Sequence, residues 1–294
     1  LLDFKPLALS SRGEYAKCLL ASEERAADYS FINLWAWNHE RCYETAFYED
    51  LCWIRLTKNK PYELWAPLGA WGDVNWKDVL SNLFPGGAVF NRVPEKLALV
   101  LQEKLGDMTE VKEERSEWEY IYSADELINL SGNKFHKKKN LFKQFLKYSP
   151  VYEEMNPDNL NELKDFYERR IISGGVNSDG AMDEDTATIR ILSDWDKFPG
   201  ILGGMLRIDG KFVAYTVAED FGDGTVIIHF EKGFHLDSYK GVYQGINQIF
   251  LANSGKFSLV NREQDMGLKG LRQAKMTYNP LGFLKKYIVK WNGK

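Results

Sequence analysis

The sequence predicts an α/β protein made of two tandem copies of one unit, each built on a mixed, mainly antiparallel sheet, and three observations carry that prediction. In the second half, residues alternate through Ile201, Gly203 and Met205, then Phe212, Ala214 and Thr216, then Val226, Ile228 and Phe230, with Asp209-Gly210 and Asp223-Gly224 between the runs. Alternation at period two marks strands, and Asp-Gly is a hairpin signal because both residues tolerate positive φ. These runs lead through a helix-period segment into a further short apolar run, so strands and helices interleave. The first half repeats the order more loosely, and Asn91-Arg92 answers Asn261-Arg262, each pair following an apolar strand and preceding a helix.

Taken in order, Cys52 to Leu56 and Glu63 to Pro67 read as paired strands, and Val74 to Phe84 as a helix. Ala88 to Val93 reads as a strand, Pro94 to Leu105 as a helix opened by its proline, and Trp118 to Tyr122 as a further strand. Beyond the three hairpin strands, Val242, Ile246, Ile249 and Phe250 mark a helix that closes at Gly255. Phe257 to Val260 then forms a strand, Gly267 to Lys275 a short helix with Leu268, Leu271 and Ala274 on one side, and Phe283 to Trp291 a last strand. Three antiparallel strands, helix, strand, helix, strand is the order of an acyltransferase core, in which two neighbouring strands part beside the central helix. The expected division is 1–131 for the first unit, 132–148 for a basic connecting helix and 149–294 for a second unit carrying the site.

The most chemically loaded stretch runs from Asn261 to Lys275, where charged side chains and two glycines stand directly behind an apolar strand. A strand-to-helix junction offers unpaired amides, and Arg and Lys add forks and point charges, so anions and reacting carbonyls suit it. The same pattern also describes a solvated, charged turn. A second patch gathers Lys134, His136, Lys137, Lys138, Lys139, Lys143 and Lys147 on a segment whose Phe135, Leu141, Phe142, Phe145 and Leu146 recur at helical intervals. It reads as a basic amphipathic helix, either a solvated connector or a surface for the phosphates of tRNA or of an anionic lipid.

Composition excludes several classes. Apolar content of 44% and charged content of 27% over 294 residues describe an ordinary globular chain with room for two cores. No run approaches the length of a membrane span, and Leu1 to Ser10 lacks the basic and apolar regions of a signal peptide, so the cytoplasm is the expected compartment. Cys18, Cys42 and Cys52 are odd in number and widely spaced, which reads as buried thiols rather than a disulfide scaffold or zinc site. His39, His136, His229 and His235 are scattered without metal-ligand spacing. A net charge of −4 provides no global field for nucleic acid. The tryptophans, concentrated in the first half, read as core. Ser173-Gly174-Gly175 followed by Met182-Asp183-Glu184-Asp185 reads as a mobile loop over the cleft.

Several separated motifs together resemble a known family. Ser131-Gly132-Asn133-Lys134-Phe135-His136-Lys137-Lys138-Lys139-Asn140, Glu231-Lys232, Tyr243-Gln244-Gly245-Ile246-Asn247, and Asn261-Arg262-Glu263-Gln264-Asp265 with Gly267, Gly270-Leu271-Arg272, Lys275 and Tyr278-x-Pro280 are similar, in this order, to the phosphatidylglycerol lysyltransferase C-terminal domain family. Asp3-Phe4-Lys5-Pro6, Asp28-Tyr29-Ser30-Phe31-x-Asn33-Leu34 and Pro67-Leu68-Gly69 extend the resemblance over nearly the whole chain. It implies two tandem GNAT-like (acyl-CoA N-acyltransferase) domains related to the Fem-type transferases. It also implies an acyltransferase or aminoacyltransferase that takes an aminoacyl group from aminoacyl-tRNA to a hydroxyl or amine. Unlike the membrane-anchored enzymes, the given sequence shows no transmembrane module ahead of the domain, so the expected acceptor, a lipid or a small molecule, either reaches a soluble protein or is met where the protein visits the inner membrane face.

Under that resemblance Glu231, Asp265 and Arg272 are the catalytic candidates. Glu231 stands at a strand end as a base, with pairing to Lys232 or Lys269 as its alternative, and Asp265 with Glu263 could hold an α-ammonium. Asn261, Arg262, Glu263, Gln264, Lys269, Lys275, Tyr243 and Asn247 are substrate-binding candidates, although Asn261 could equally close the strand-end turn. Lys134, Lys137, Lys138, Lys139 and Lys143 are candidates for tRNA or phosphate. No resident cofactor is expected. Gly241 and Gly245 stand where a GNAT enzyme places its pyrophosphate loop, but their spacing departs from that signature, so coenzyme A belongs to an alternative reading, an acyl-CoA-dependent N-acyltransferase. A non-catalytic binder of an amino-acid-like ligand is the third class.

Overall fold

The computed structural model describes residues 1–172, 179–234 and 236–293. In chain order the elements are β1 (Lys5–Pro6), α1 (Arg12–Ala21), α2 (Phe31–Arg41), β2 (Tyr43–Tyr48), β3 (Leu51–Leu56), β4 (Glu63–Trp65), α3 (Trp76–Leu83), β5 (Ala88–Pro94), α4 (Glu95–Leu105) and β6 (Thr109–Glu113). They continue with β7 (Glu119–Ser123), α5 (Ala124–Asn129), α6 (His136–Leu146), β8 (Val151–Glu154), α7 (Leu160–Ile172), α8 (Asp179–Ser193), β9 (Ile201–Ile208), β10 (Lys211–Asp220) and β11 (Thr225–Gly233). The last are α9 (Val242–Asn253), β12 (Leu259–Asn261), α10 (Lys269–Met276), β13 (Gly282–Leu284) and β14 (Lys286–Trp291).

The chain divides into two units, one of Leu1–Glu119 with Leu284–Lys294 and one of Tyr120–Phe283. The boundary expected at 131 therefore falls at 119/120, and α6, expected as a connector over 132–148, lies inside the second unit. The physical reason is strand exchange along the sequence. One sheet runs β1-β2-β3-β4-β5-β14-β6 and the other β8-β9-β10-β11-β12-β7-β13. In both, antiparallel strands are followed by one parallel pair, β4 with β5 and β11 with β12, and then by an antiparallel sixth strand. That sixth strand, β14 or β7, comes from the opposite half of the chain. The apolar run at 283–291 is thus two strands serving two sheets rather than one, and Trp118–Tyr122, expected in the first unit, supplies β7 to the second sheet.

Local rules explain the second unit. Asp209 (φ 50°) and Gly210 (φ 74°) both adopt positive φ between β9 and β10, as a two-residue hairpin with the strand twist requires. α9 buries Val242, Ile246 and Phe250, one helical stripe, against Ala214, Ile228 and Val260 of the sheet. Each such side chain contributes about 1.5–3 kcal/mol of burial. Ser123 opens α5 by accepting the Glu126 amide at 3.2 Å.

Two expectations are corrected here. Cys18 and Cys52 are buried, but Cys42 is exposed where it caps the end of α2 in the left-handed conformation (φ 53°). Met182 to Asp185 are not a loop but part of α8, where Thr186 and Thr188 bond back to the carbonyls of Met182 and Glu184 and buried Asp185 faces Arg170 at 2.9 Å. The Ser173-Gly174-Gly175 portion of that expected loop lies outside the described residues, as does His235. Trp53, Trp65, Trp71 and Trp76 are core side chains.

Candidate active site

The site of the second unit arises where β11 and β12 part. They pair only from Thr225–Ile227 against Leu259–Asn261, whereas β11 continues to Gly233. Opposite β10, the ladder shifts register between Val217 and Ala218, so that His229 bulges between Ile228 and Phe230. His229 and Glu231 then reach the segment that follows β12.

Glu231 accepts Arg262 Nη2 at 2.7 Å on Oε1 and Asn247 Nδ2 at 3.0 Å on Oε2, so β11, α9 and the post-β12 segment meet at one carboxylate. Its partners are therefore neither Lys232, which pairs with Glu184 at 2.9 Å, nor Lys269, which is exposed. Burial alone would weaken the charge on Arg262; Glu231 and the phenols of Tyr278 and Tyr122 outweigh it and hold the guanidinium above the usual arginine range. The Arg262 guanidinium lies 4.9 Å from the Tyr278 ring centroid, and Lys138 lies 4.0 Å from the same centroid. Burial and then Arg262 pull the Lys138 ammonium down.

His229 is nearly inaccessible, and both ring nitrogens meet carboxylates, Nε2 with Glu219 and Nδ1 with Glu263, each at 3.0 Å. Burial works against protonation, but hydrogen bonds to Glu219 and Glu263 prevail and push the imidazole up to about 9, so it is a doubly protonated cation at neutral pH. Sequence reasoning missed this residue: a lone histidine in an apolar strand looks like core. Glu219 on the neighbouring strand was the one available signal.

The segment from 261 to 276 is held internally. Asn261 Oδ1 accepts the Glu263 amide at 2.9 Å, closing the strand-end turn, and Glu263 adopts φ 54°. Asp265 is fully buried and accepts Tyr120 Oη at 2.5 Å, Arg272 Nε at 2.8 Å and Nη2 at 2.9 Å, and the Gly267 amide at 2.9 Å. Burial would raise its pKa, but these donors bring it down to about 2. Lys275 Nζ donates to the carbonyls of Arg262, Glu263 and Gln264 at 2.5, 3.1 and 2.6 Å. Asp265, Arg272 and Lys275 thus shape the turn that presents Arg262 and Glu263. Tyr243 is exposed on α9, whose Gln244 donates to Tyr278 Oη at 3.1 Å.

Around the start of α6, Asn133, Lys134, His136, Lys137, Lys138, Leu141, Thr277 and Asn279 line an open groove of about 580 Å³. Lys139 and Lys143 are exposed farther along the helix. The glycines of α9 serve close packing: a Cβ on Gly241 would stand 2.2 Å from the Leu141 carbonyl oxygen, and one on Gly245 2.1 Å from Phe145. α6 therefore covers the start of α9, where a pyrophosphate loop was considered.

The matching strand end of the first unit is filled. Arg92, near the end of β5, pairs with Asp28 and with Glu117 at 3.2 Å, and buried Lys286 pairs with Asp28 and with Glu119 at 2.9 Å. The first unit thus has buried charges of its own, drawn from distant segments.

The family model described as "Phosphatidylglycerol lysyltransferase, C-terminal" matches residues 21–290. The chain belongs to this family. Both sheets follow the mixed, mainly antiparallel order expected. A conserved protein of unknown function from Bacteroides thetaiotaomicron is similar in structure, with 27% identity and a TM-score of 0.87 over 99% of this chain and 100% of that chain. L-PGS from Bacillus licheniformis shares the fold at 14% identity, with a TM-score of 0.62 over 93% of this chain and 94% of that chain. An uncharacterized protein of Mycoplasmoides gallisepticum is 24% identical over 185 residues, 58% of this chain and 55% of that protein, so the match spans little more than half the length of that relative. Among the described residues no helix is long and apolar enough to cross a membrane.

Proposed function

We propose that the protein is an aminoacyltransferase that takes an aminoacyl group from aminoacyl-tRNA to a hydroxyl or amine of a lipid or small-molecule acceptor. The observation that carries this reading is the Glu231–Arg262–Asn247 cluster where β11 and β12 part, in a chain matched by the transferase family over 21–290. In this reading the acceptor oxygen or nitrogen attacks the ester carbonyl carbon, Glu231 takes the acceptor proton, and the new C–O or C–N bond forms. The ester bond to the tRNA ribose then breaks, and its oxygen leaves with the proton that Glu231 took from the acceptor, which returns Glu231 to its carboxylate form. Arg262 balances charge as the tetrahedral oxyanion develops, and Asn247 orients Glu231. Asp265, Arg272 and Lys275 position this turn, and the α6 lysines meet phosphate of a substrate.

The covered start of α9 weighs against coenzyme A as donor, since Leu141 and Phe145 occupy the space beside Gly241 and Gly245. The test is transfer of radiolabel from total aminoacyl-tRNA into lipid and aqueous small-molecule fractions, with acetyl-CoA as a parallel donor. Wild type is expected to move label from tRNA, and Glu231→Gln to reduce the rate 10²–10⁴-fold, the usual range for a general base. Turnover of acetyl-CoA alone, or full activity in Glu231→Gln, would overturn the reading.

A further inference from the structure

We infer that His229 is a positioning residue: the bulge it occupies, tied to Glu219 on one side and Glu263 on the other, sets Glu231 facing Arg262. Ile228 belongs to the core under α9, and Glu231 accepts a hydrogen bond from Asn247 of α9 at 3.0 Å, so both face the same helix. They stand three residues apart, whereas an unbroken strand returns to one face at every second residue. In a regular ladder Phe230 and Lys232 would take that face, and Glu231 would point away from Asn247. The extra residue that restores the phase is His229, which stands between the pair of Phe230 with Val217 and the pair of Ile228 with Ala218.

The side chain of that extra residue is held at both ends. Glu219 lies opposite Ile227 on β10, and its carboxylate meets Nε2 at 3.0 Å, while Nδ1 meets Glu263 at 3.0 Å. Past the last ladder pair, Ile227 with Asn261, β11 and β12 part, and two side-chain bridges span the opening: His229 to Glu263, and Glu231 to Arg262 at 2.7 Å. Arg262 and Glu263 are adjacent, with Glu263 at φ 54°, so a hold on Glu263 fixes where its neighbour's guanidinium reaches. Only a doubly protonated imidazole donates to both carboxylates; a neutral ring would turn a lone pair toward one of them. Burial opposes that charge, and the two carboxylates overcome it, raising the imidazole to about 9. Buried ionic groups fill a core less well than apolar ones, and specifying register is their best-attested use.

The geometry stands without any reaction, and its catalytic consequence rests on the transfer proposed above. The test on the full chain is a double-mutant cycle by urea unfolding, with Glu231→Gln and Arg262→Gln made singly and together, in wild type and in His229→Gln. The pair is expected to be coupled about tenfold in the unfolding constant in wild type and less than about twofold in His229→Gln. Should His229→Gln not fold, Glu219→Ala, which releases only the outer end of the bridge, gives the same comparison, with the coupling expected to fall about threefold. Coupling undiminished in these backgrounds, or absent in wild type, would overturn the inference.

In the labelled-transfer assay His229→Gln is expected to lower kcat about 10²-fold, with KM changed less than about threefold. His229→Lys, which keeps a cation with donors for both carboxylates, is expected to recover part of that loss. Leu163→Ala, a buried apolar side chain of α7, serves as the destabilised control and is expected to keep its kcat. Full kcat in His229→Gln, or an equal loss in Leu163→Ala, would also overturn the inference. No transfer by wild type would instead sink the proposed reaction and leave the unfolding cycle to decide the role of His229.

Discussion

At His229 and Asp265, two buried charges with opposite pH dependence hold the same turn. His229 is raised from 6.5 to about 9, so its stabilisation is complete below about pH 6.5 and is lost as pH rises through 9. The shift corresponds to about 3 kcal/mol. Urea unfolding of wild type should weaken by about that amount between pH 6 and pH 9.5, and in His229→Gln this alkaline loss should be largely absent. Asp265 has the reverse sign: its pKa falls from 3.8 to about 2, so its stabilisation is present above about pH 4 and is lost as pH falls through 2. Asp265→Asn should cost about 2 kcal/mol at pH 7 and much less near pH 2, measured by the same unfolding curves. Glu231 and Arg262 were legible as candidates because charges at strand ends rarely serve a core. Their pairing with each other was not, because the residues between them in sequence fold away through α9. Asp265 looked catalytic for the same reason that it is charged, and only the structure reveals four donors surrounding it.

Elements decide whether α6 and α9 can meet, and two glycines decide for the elements. A methyl group on Gly245 would stand 2.1 Å from Phe145 Cδ1, and on Gly241 2.2 Å from the Leu141 carbonyl oxygen, where φ is also +86°. Gly245→Ala should therefore cost about 1–3 kcal/mol through overpacking. Gly241→Ala should cost more, because backbone cannot yield as a ring can and the left-handed conformation adds strain. Thermal unfolding of the two variants checks both the sign and the order. If α6 instead left the start of α9 open for a pyrophosphate, Gly245→Ala would be nearly silent in the free protein and Gly241→Ala would cost only the strain of its left-handed conformation. The glycines were visible in the sequence, but the element they admit was not: a helix 100 residues earlier leaves no local pattern. The β9–β10 hairpin and α9 were readable because their rules, positive φ at Asp209-Gly210 and one apolar stripe, act within a dozen residues.

For the whole molecule, the repeated order of the two sheets is the deepest feature, and its exchange of sixth strands is the least local. The repeat could be sensed from strand and helix order and from Asn91-Arg92 against Asn261-Arg262, since Asn91 and Asn261 each stand in the parallel ladder of their sheet, opposite Trp65 and Ile227. The assignment of β7 and β14 could not, because a short apolar strand carries no mark of which sheet will accept it. That exchange has a testable cost. A fragment of residues 149–294, cut where sequence alone would divide the chain, lacks β7, which lies between β12 and β13, and lacks Tyr120, which bonds Asp265 at 2.5 Å. It also lacks α6, so Gly245 of α9 loses the Phe145 ring against which it packs. A fragment of 120–283 retains all three and nearly all of the second sheet. The shorter fragment is expected to fail to fold cooperatively, and the longer one to show a single denaturant transition with dispersed amide signals. Equal folding of both fragments would mean that β7 is dispensable, and the sheet order would then be a consequence of chain connectivity rather than a source of stability.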